Sequence, residues 1–291
     1  PRPSFHLQTS DSHKSFDSIL THLLQMNNHE IDYDIYGDDM QCVAIELDPQ
    51  ETVLAEAGSM MSMDPDIEMN TIFGDGRNQE SSILGKMWSA GKRVLTGESL
   101  FMTTYTHQGP GGKRRVTFAA PYPGKILPID LSEHQGKIVC QKDSFLCAAQ
   151  GVAVGIDFQK RLGTGLFGGE GFIMQKLEGD GMAFIHAGGT LLKRSLAPGE
   201  TLRVDTGCLV ALESSVDYDI QFVGGIKNTL FGGEGVFFAS VTGPGNVWIQ
   251  SLPFTRLAER VIRALPNTGG ATKGEGSALG GLGRILDGDN F

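Results

Sequence analysis

Short alternating runs of apolar and polar residues, broken by glycine and proline turns, fill most of this chain. From Met40 onward the period is that of a half-buried strand, not of a helix. Leu47-Asp-Pro-Gln-Glu-Thr-Val-Leu-Ala-Glu-Ala-Gly-Ser-Met-Met-Ser-Met63 reads as a proline-containing turn, an alternating strand, a glycine turn and a second strand. Leu196-Ala-Pro-Gly-Glu-Thr-Leu-Arg-Val-Asp-Thr-Gly-Cys-Leu-Val-Ala-Leu212 repeats that pattern, and residues 131–147 carry a degraded copy with Asp143 where the others have Gly58 and Gly207. Further hairpins are expected at the glycine-rich turns 109–112, 179–181 and 243–245.

A second repeat runs through the same units. Leu166-Phe-Gly-Gly-Glu-Gly-Phe172 and Leu230-Phe-Gly-Gly-Glu-Gly-Val236 are near copies, and Val94-Leu-Thr-Gly-Glu-Ser-Leu100 is a weaker third. Repetition at regular spacing is a statement about architecture. It predicts an all-β body, of double-stranded β-helix or β-sandwich type, over residues 31–253. Three similar units, 31–110, 111–185 and 186–253, are expected in an approximate threefold arrangement around a shared core. No linker separates them, so one body is expected and not three domains.

Helix is scarce. Residues 1–30 are polar and form an extension with one amphipathic stretch, in which Phe16, Ile19, Leu20, Leu23 and Leu24 follow helical spacing. A C-terminal helix is expected over 254–266, since Leu257-Ala-Glu-Arg-Val-Ile-Arg-Ala-Leu265 is amphipathic and stops before Pro266. The glycine-rich tail, 267–291, reads as a linker with a few docking leucines.

Composition narrows the function classes. The chain has 291 residues, 40 of them glycine, and a net charge of −10. That charge opposes binding to nucleic acid or to anionic lipid. The basic run Lys113-Arg114-Arg115 reads as a solvated hairpin. The four cysteines, Cys42, Cys140, Cys147 and Cys208, form no Cys-x-x-Cys pair and have no histidine at zinc-ligand spacing, so buried reduced thiols are expected, with no metal and no cofactor. No apolar run is long enough to span a membrane, and no signal segment is legible, which makes a cytoplasmic protein the expectation.

The Gly-Glu words supply the candidate residues. Glu98, Glu170 and Glu234 each follow glycine, which permits sharp turns and exposes amides that a carboxylate can accept from. A structural corner is the first reading. The second is convergence of three carboxylates into a site for a hard cation or a small ligand. Trp88, Leu166, Phe167, Leu230 and Phe231 sit before these glutamates and are candidates for an interface. Gly163-Thr-Gly-Leu-Phe-Gly168 matches a dinucleotide fingerprint but is followed by a strand-like run, not a helix, so no nucleotide is expected. No nucleophile motif stands out, and His107 and His134 sit beside turns where exposure is expected. The chain therefore reads as non-enzymatic.

Met40-Gln-Cys-Val-Ala-Ile-Glu-Leu-Asp-Pro-Gln-Glu-Thr-Val53, Glu56-Ala-Gly-Ser-Met60 and the two Leu-Phe-Gly-Gly-Glu-Gly words resemble the altered-inheritance-of-mitochondria family, number 24, over residues 31–253. The resemblance implies bacterial relatives of unknown function and a fold similar to the tryptophan RNA-binding attenuation protein. It also implies a link, through mitochondrial members, to inner-membrane organisation, and it carries no catalytic residues. RNA binding is not inherited, given the acidic charge, and residues 1–30 hold one arginine, unlike a transit peptide. The expectation is a homo-oligomeric β-scaffold with a protein partner and a setting near a membrane. A ligand- or cation-binding module built on the Gly-Glu loops is the alternative.

Overall fold

The computed structural model describes residues 30–73, 101–160, 171–223 and 236–264. These residues are almost entirely β, as the alternating pattern predicts. In chain order the strands are β1 (Asp32–Tyr36), β2 (Cys42–Leu47), β3 (Thr52–Glu56), β4 (Met60–Met63), β5 (Ile67–Phe73), β6 (Phe101–His107) and β7 (Arg114–Ala119). They continue with β8 (Gly124–Asp130), β9 (Lys137–Gln141), β10 (Phe145–Ala149), β11 (Ala153–Lys160), β12 (Phe172–Glu178) and β13 (Met182–Gly188). The last are β14 (Leu191–Leu196), β15 (Thr201–Asp205), β16 (Leu209–Glu213), β17 (Asp217–Val223), β18 (Val236–Thr242) and β19 (Gly245–Gln250), before the helix α1 (Phe254–Ala264).

Four antiparallel sheets result, with strand orders β1-β2-β7-β4, β5-β6-β3-β10-β13-β8, β11-β12-β9-β16-β19-β14 and β15-β18-β17. One pairing scheme occurs three times within them. Taking β2–β7, β8–β13 and β14–β19 as sets of six, the sixth strand lies between the first and the third, and the fifth lies between the fourth and the second. The third strand of each set carries the same ladder irregularity, between Met60 and Ser62, Phe145 and Cys147, and Leu209 and Ala211. Such bulges increase local twist. Grouped by pairing, the breaks fall after β7 and β13. The breaks read from the sequence, after residues 110 and 185, separate the closing strand from its set or cut through it.

Consecutive sets join by one repeated contact. The second strand of one set pairs with the third strand of the next, β3 with β10 and β9 with β16. At the first joint Leu54 is opposite Ala148, and at the second Val139 is opposite Leu212. The expected single shared core is not what forms. Three apolar clusters lie one after another, each fed by two successive sheets. Val43, Ile45 and Phe118 meet Val53, Tyr105 and Phe184 in the first. Leu54, Ile129 and Ile185 meet Ile138, Leu177 and Trp248 in the second. Val139, Phe172 and Leu212 meet Val204, Ile220 and Val241 in the third. The middle sheets are therefore covered on both faces, which is why Thr52–Ala55 of β3 and all of β10 are buried without alternation.

The basic run opens β7 and is neutralised there. Lys113 pairs with Asp32, Arg114 with Asp66 at 3.0 Å, and Arg115 with Glu46 and, at 3.5 Å, Asp34. Cys140 and Cys147 are buried and Cys42 and Cys208 partly so, all four as free thiols.

Candidate functional site

Glu98, Glu170, Glu234, Trp88, Leu166, Phe167, Leu230 and Phe231 all lie outside the described residues. Each Gly-Glu segment joins the fourth strand of a set to the fifth, beyond the ladder pairs Phe73–Phe101, Lys160–Phe172 and Val223–Val236.

Within the described residues, a pocket of about 280 Å³ opens where the β3–β4 turn meets the connection after β7 and the start of α1. Glu56, Ser59, Tyr122, Asp143 and Phe254 line it, with Ala57, Ala119 and Pro121 supplying apolar wall. The turn is fixed locally: the backbone N–H and hydroxyl of Ser59 both donate to the Glu56 carbonyl, at 3.3 and 2.8 Å, and Gly58 takes φ +87°. Those bonds occupy the Glu56 backbone and leave its carboxylate without a hydrogen-bond donor among the described residues. Burial pushes the Glu56 carboxyl up to about 7, the charge of Asp143 adds to this, and Lys142 opposes it. Burial likewise raises the Tyr122 phenol to about 12, with the Asp143 and Glu56 charges behind it.

The pocket wall is a stack of rings. Tyr122 meets Phe254 at 5.3 Å between centroids and His186 at 4.5 Å, the second pair in a T-shaped arrangement. Phe254 is 51% exposed although it is a large apolar side chain. His186 is 1% exposed, and neither ring nitrogen makes a hydrogen bond among the described residues. Burial lowers its pKa to about 4, with the Tyr122 backbone pulling slightly the other way.

Backbone-to-backbone packing holds this region together. Gly189 N–H donates to the Pro123 carbonyl at 3.0 Å and Leu252 N–H to Gly188 at 3.1 Å. The Gln250 side chain accepts from Gly188 N–H at 2.7 Å and donates to the Gly207 carbonyl at 2.8 Å. The connectors that follow β7, β13 and β19 are thus tied to one another. Sequence reading missed this site because Glu56, Tyr122, Asp143 and Phe254 are far apart in the chain and share no motif.

The other two histidines among the described residues do not line it. His107 is buried, not exposed as its neighbouring turn suggested, because the Gln50 and Glu51 backbone closes over the end of β6 and Leu47 lies 3.2 Å from its Nδ1. His134 is also mostly covered, with its Nδ1 3.1 Å from Glu213. Among the described residues no group of three or more His, Cys, Asp or Glu side chains is placed to hold a metal ion, and no helix is long and apolar enough to cross a membrane.

A largely β chain of repeated six-strand sets, with a small pocket at its connectors, defines the class. The particular family follows from comparison: residues 33–252 match the family model described as Mitochondrial biogenesis AIM24, and the chain belongs to that family. It is similar to an uncharacterized protein of Streptococcus pyogenes serotype M6, 31% identical over 229 residues, spanning 78% of this chain and 87% of that one. It is also similar to the crystal structure of a Streptococcus pyogenes protein, with a TM-score of 0.63 and 25% identity, covering 81% of this chain and all of the other.

Proposed function

We propose that this protein is a non-enzymatic β-scaffold that self-associates, carries a protein partner and serves an assembly set beside a membrane. The observation behind this reading is a pair of unmatched strands. The internal joints always use a second strand and a third strand, yet among the described residues β15, the last second strand, and β4, the first third strand, each end a sheet. Unpaired sheet edges are templates for another chain. If the internal joints were repeated between two copies, Val204 of one would stand opposite Ser62 of the other, and Arg203 opposite Met63. Met61, 62% exposed, stands where the internal joints bury Leu146 and Val210. Arg203 stands where they bury Leu54 and Val139, so this joint is more polar than the internal ones and reversible.

The family's description names mitochondrial biogenesis, and the membrane setting is our extension of it. With a net charge of −10, that setting is reached through a partner and not by direct contact with anionic lipid.

Sedimentation of the full chain over a range of concentrations tests the reading. The wild type is expected to sediment as a multiple of the single chain. A Met61→Asp/Met63→Asp variant and an Arg203→Glu variant, each with unchanged circular dichroism, are expected to shift toward the single-chain mass. A wild type that remains a single chain throughout overturns self-association.

A further inference from the structure

We propose that the pocket between Glu56, Tyr122, Asp143 and Phe254 is a binding site for an organic cation, an ammonium group on a short alkyl body. Four features of the site converge on that chemistry. The first is a carboxylate, Glu56, partly buried and without a hydrogen-bond donor of its own among the described residues. The second is another acid, Asp143, on the same wall, so that negative charge accumulates around one cavity. The third is aromatic: the tilted pair of Tyr122 and Phe254, whose π faces attract a cation. The fourth is the apolar wall of Ala57, Ala119 and Pro121, which suits methylene groups and offers no donor to an anion. A bare metal ion does not suit the site, because only two of its lining side chains are carboxylates and apolar groups form much of the rest. At about 280 Å³ the cavity is at the small end of ligand sites, which limits the alkyl body to a few carbons.

The charge environment makes binding depend on pH. Glu56 faces Asp143 and Lys142 from the β9–β10 turn, Tyr122 from the connection after β7, and the Cys140 thiol from β9. With its carboxyl raised to about 7, Glu56 is largely protonated in the empty site at mildly acid pH. A cation must then displace that proton, so affinity rises with pH between the ordinary glutamate value and the raised one.

Calorimetric titration of the full chain with n-butylammonium, tetramethylammonium and N-acetyl-lysine amide tests the proposal, with n-butanol as the neutral counterpart. n-Butylammonium presents the free primary amine, N-acetyl-lysine amide the same ammonium on a peptide backbone, and tetramethylammonium a quaternary cation without N–H groups, so the ranking of n-butylammonium against N-acetyl-lysine amide separates a free amine from a lysine side chain. At least one cation is expected to bind at pH 8, roughly tenfold more weakly at pH 5.5, and roughly tenfold more weakly to Glu56→Gln and to Phe254→Ala. Phe254 is half exposed, so its removal leaves the fold in place and keeps the test valid if Glu56→Gln perturbs folding. No heat from any cation, equal affinity for n-butanol, or unchanged affinity in both variants overturns the proposal. The site rests on different residues from the β4 and β15 edges, so neither proposal stands or falls with the other.

Discussion

The imidazole of His186 stands edge-on against the ring of Tyr122, 4.5 Å between centroids with the planes at 81°, and behind the pocket that Tyr122 lines. The contact places a titratable group where water does not reach it. His186 is held neutral in the fold with its pKa lowered to about 4, while an unfolded chain takes up a proton near 6.5. Between those values the unfolded state binds more protons, so this residue makes stability rise with pH. The contribution is about 3 kcal/mol at most. Denaturant unfolding of wild type and His186→Leu at pH 4.5 and 7 checks it: the variant is expected to lose this rise.

Glu56 works in the opposite direction. Its carboxyl is raised to about 7 in the fold and sits at the ordinary glutamate value when unfolded, so the folded state binds more protons between about 4.5 and 7. Stability from this group is present below 4.5 and is lost as pH rises through 7. Glu56→Gln is expected to leave stability at pH 4.5 nearly unchanged and to raise it at pH 8, by roughly 1–3 kcal/mol. In the wild type the two groups oppose each other and flatten the profile. Each single variant exposes the slope of the other, which thermal unfolding across pH 4.5–8 resolves.

Gly188 is fixed by close approach and not by backbone angle. A methyl group there would come within 2.0 Å of the Leu252 carbonyl oxygen and 2.7 Å of the Tyr122 ring. Gly188→Ala is expected to destabilise by roughly 1–3 kcal/mol, as overpacking does. A melting temperature unchanged within error would show that the connectors can move apart.

The joint position gives a graded test of the repeat. Leu54 is fully buried in the second cluster, so Leu54→Ala is expected to cost about 2–5 kcal/mol. Arg203, its counterpart on the open strand β15, is exposed, and Arg203→Ala is expected to stay within about 0.5 kcal/mol for the single chain. Urea unfolding at low protein concentration compares the two.

Thiol labelling of the native protein follows burial. Cys140, with its thiol pushed up to about 12 by burial and by Glu56, and Cys147, raised by burial alone, are expected to stay unmodified until the chain unfolds. Of the four, only the partly buried Cys42 and Cys208 are expected to react in the fold, and mass spectrometry after a short exposure to iodoacetamide reads this directly.

Strand content, the places of the glycine turns at 109–112, 179–181 and 243–245, and the C-terminal helix were legible in the sequence; the expected hairpins at those turns do not form, because the strands on either side of each enter different sheets. The legible features are set by contacts between near neighbours: glycine at tight turns, alternation along a strand, and proline at a helix end. The sequence also showed repetition, since Leu47–Met63 and Leu196–Leu212 carry the same turn chemistry at the same offsets. Which strand pairs with which is settled only once the chain has folded. Val53, Leu54 and Ala55 are similar apolar residues in sequence, yet Val53 and Ala55 enter one cluster and Leu54 the next, because β10 of the following set extends their sheet while Ile138, Leu177 and Trp248 of the next sheet cover its far face. Pairing across such separations depends on shape and on burial of both faces, which no local pattern encodes. The same reason hid the pocket: Glu56, Tyr122, Asp143 and Phe254 acquire their common chemistry only when chain closure brings them to one wall, where burial and neighbouring charge change what each carboxyl and ring can do.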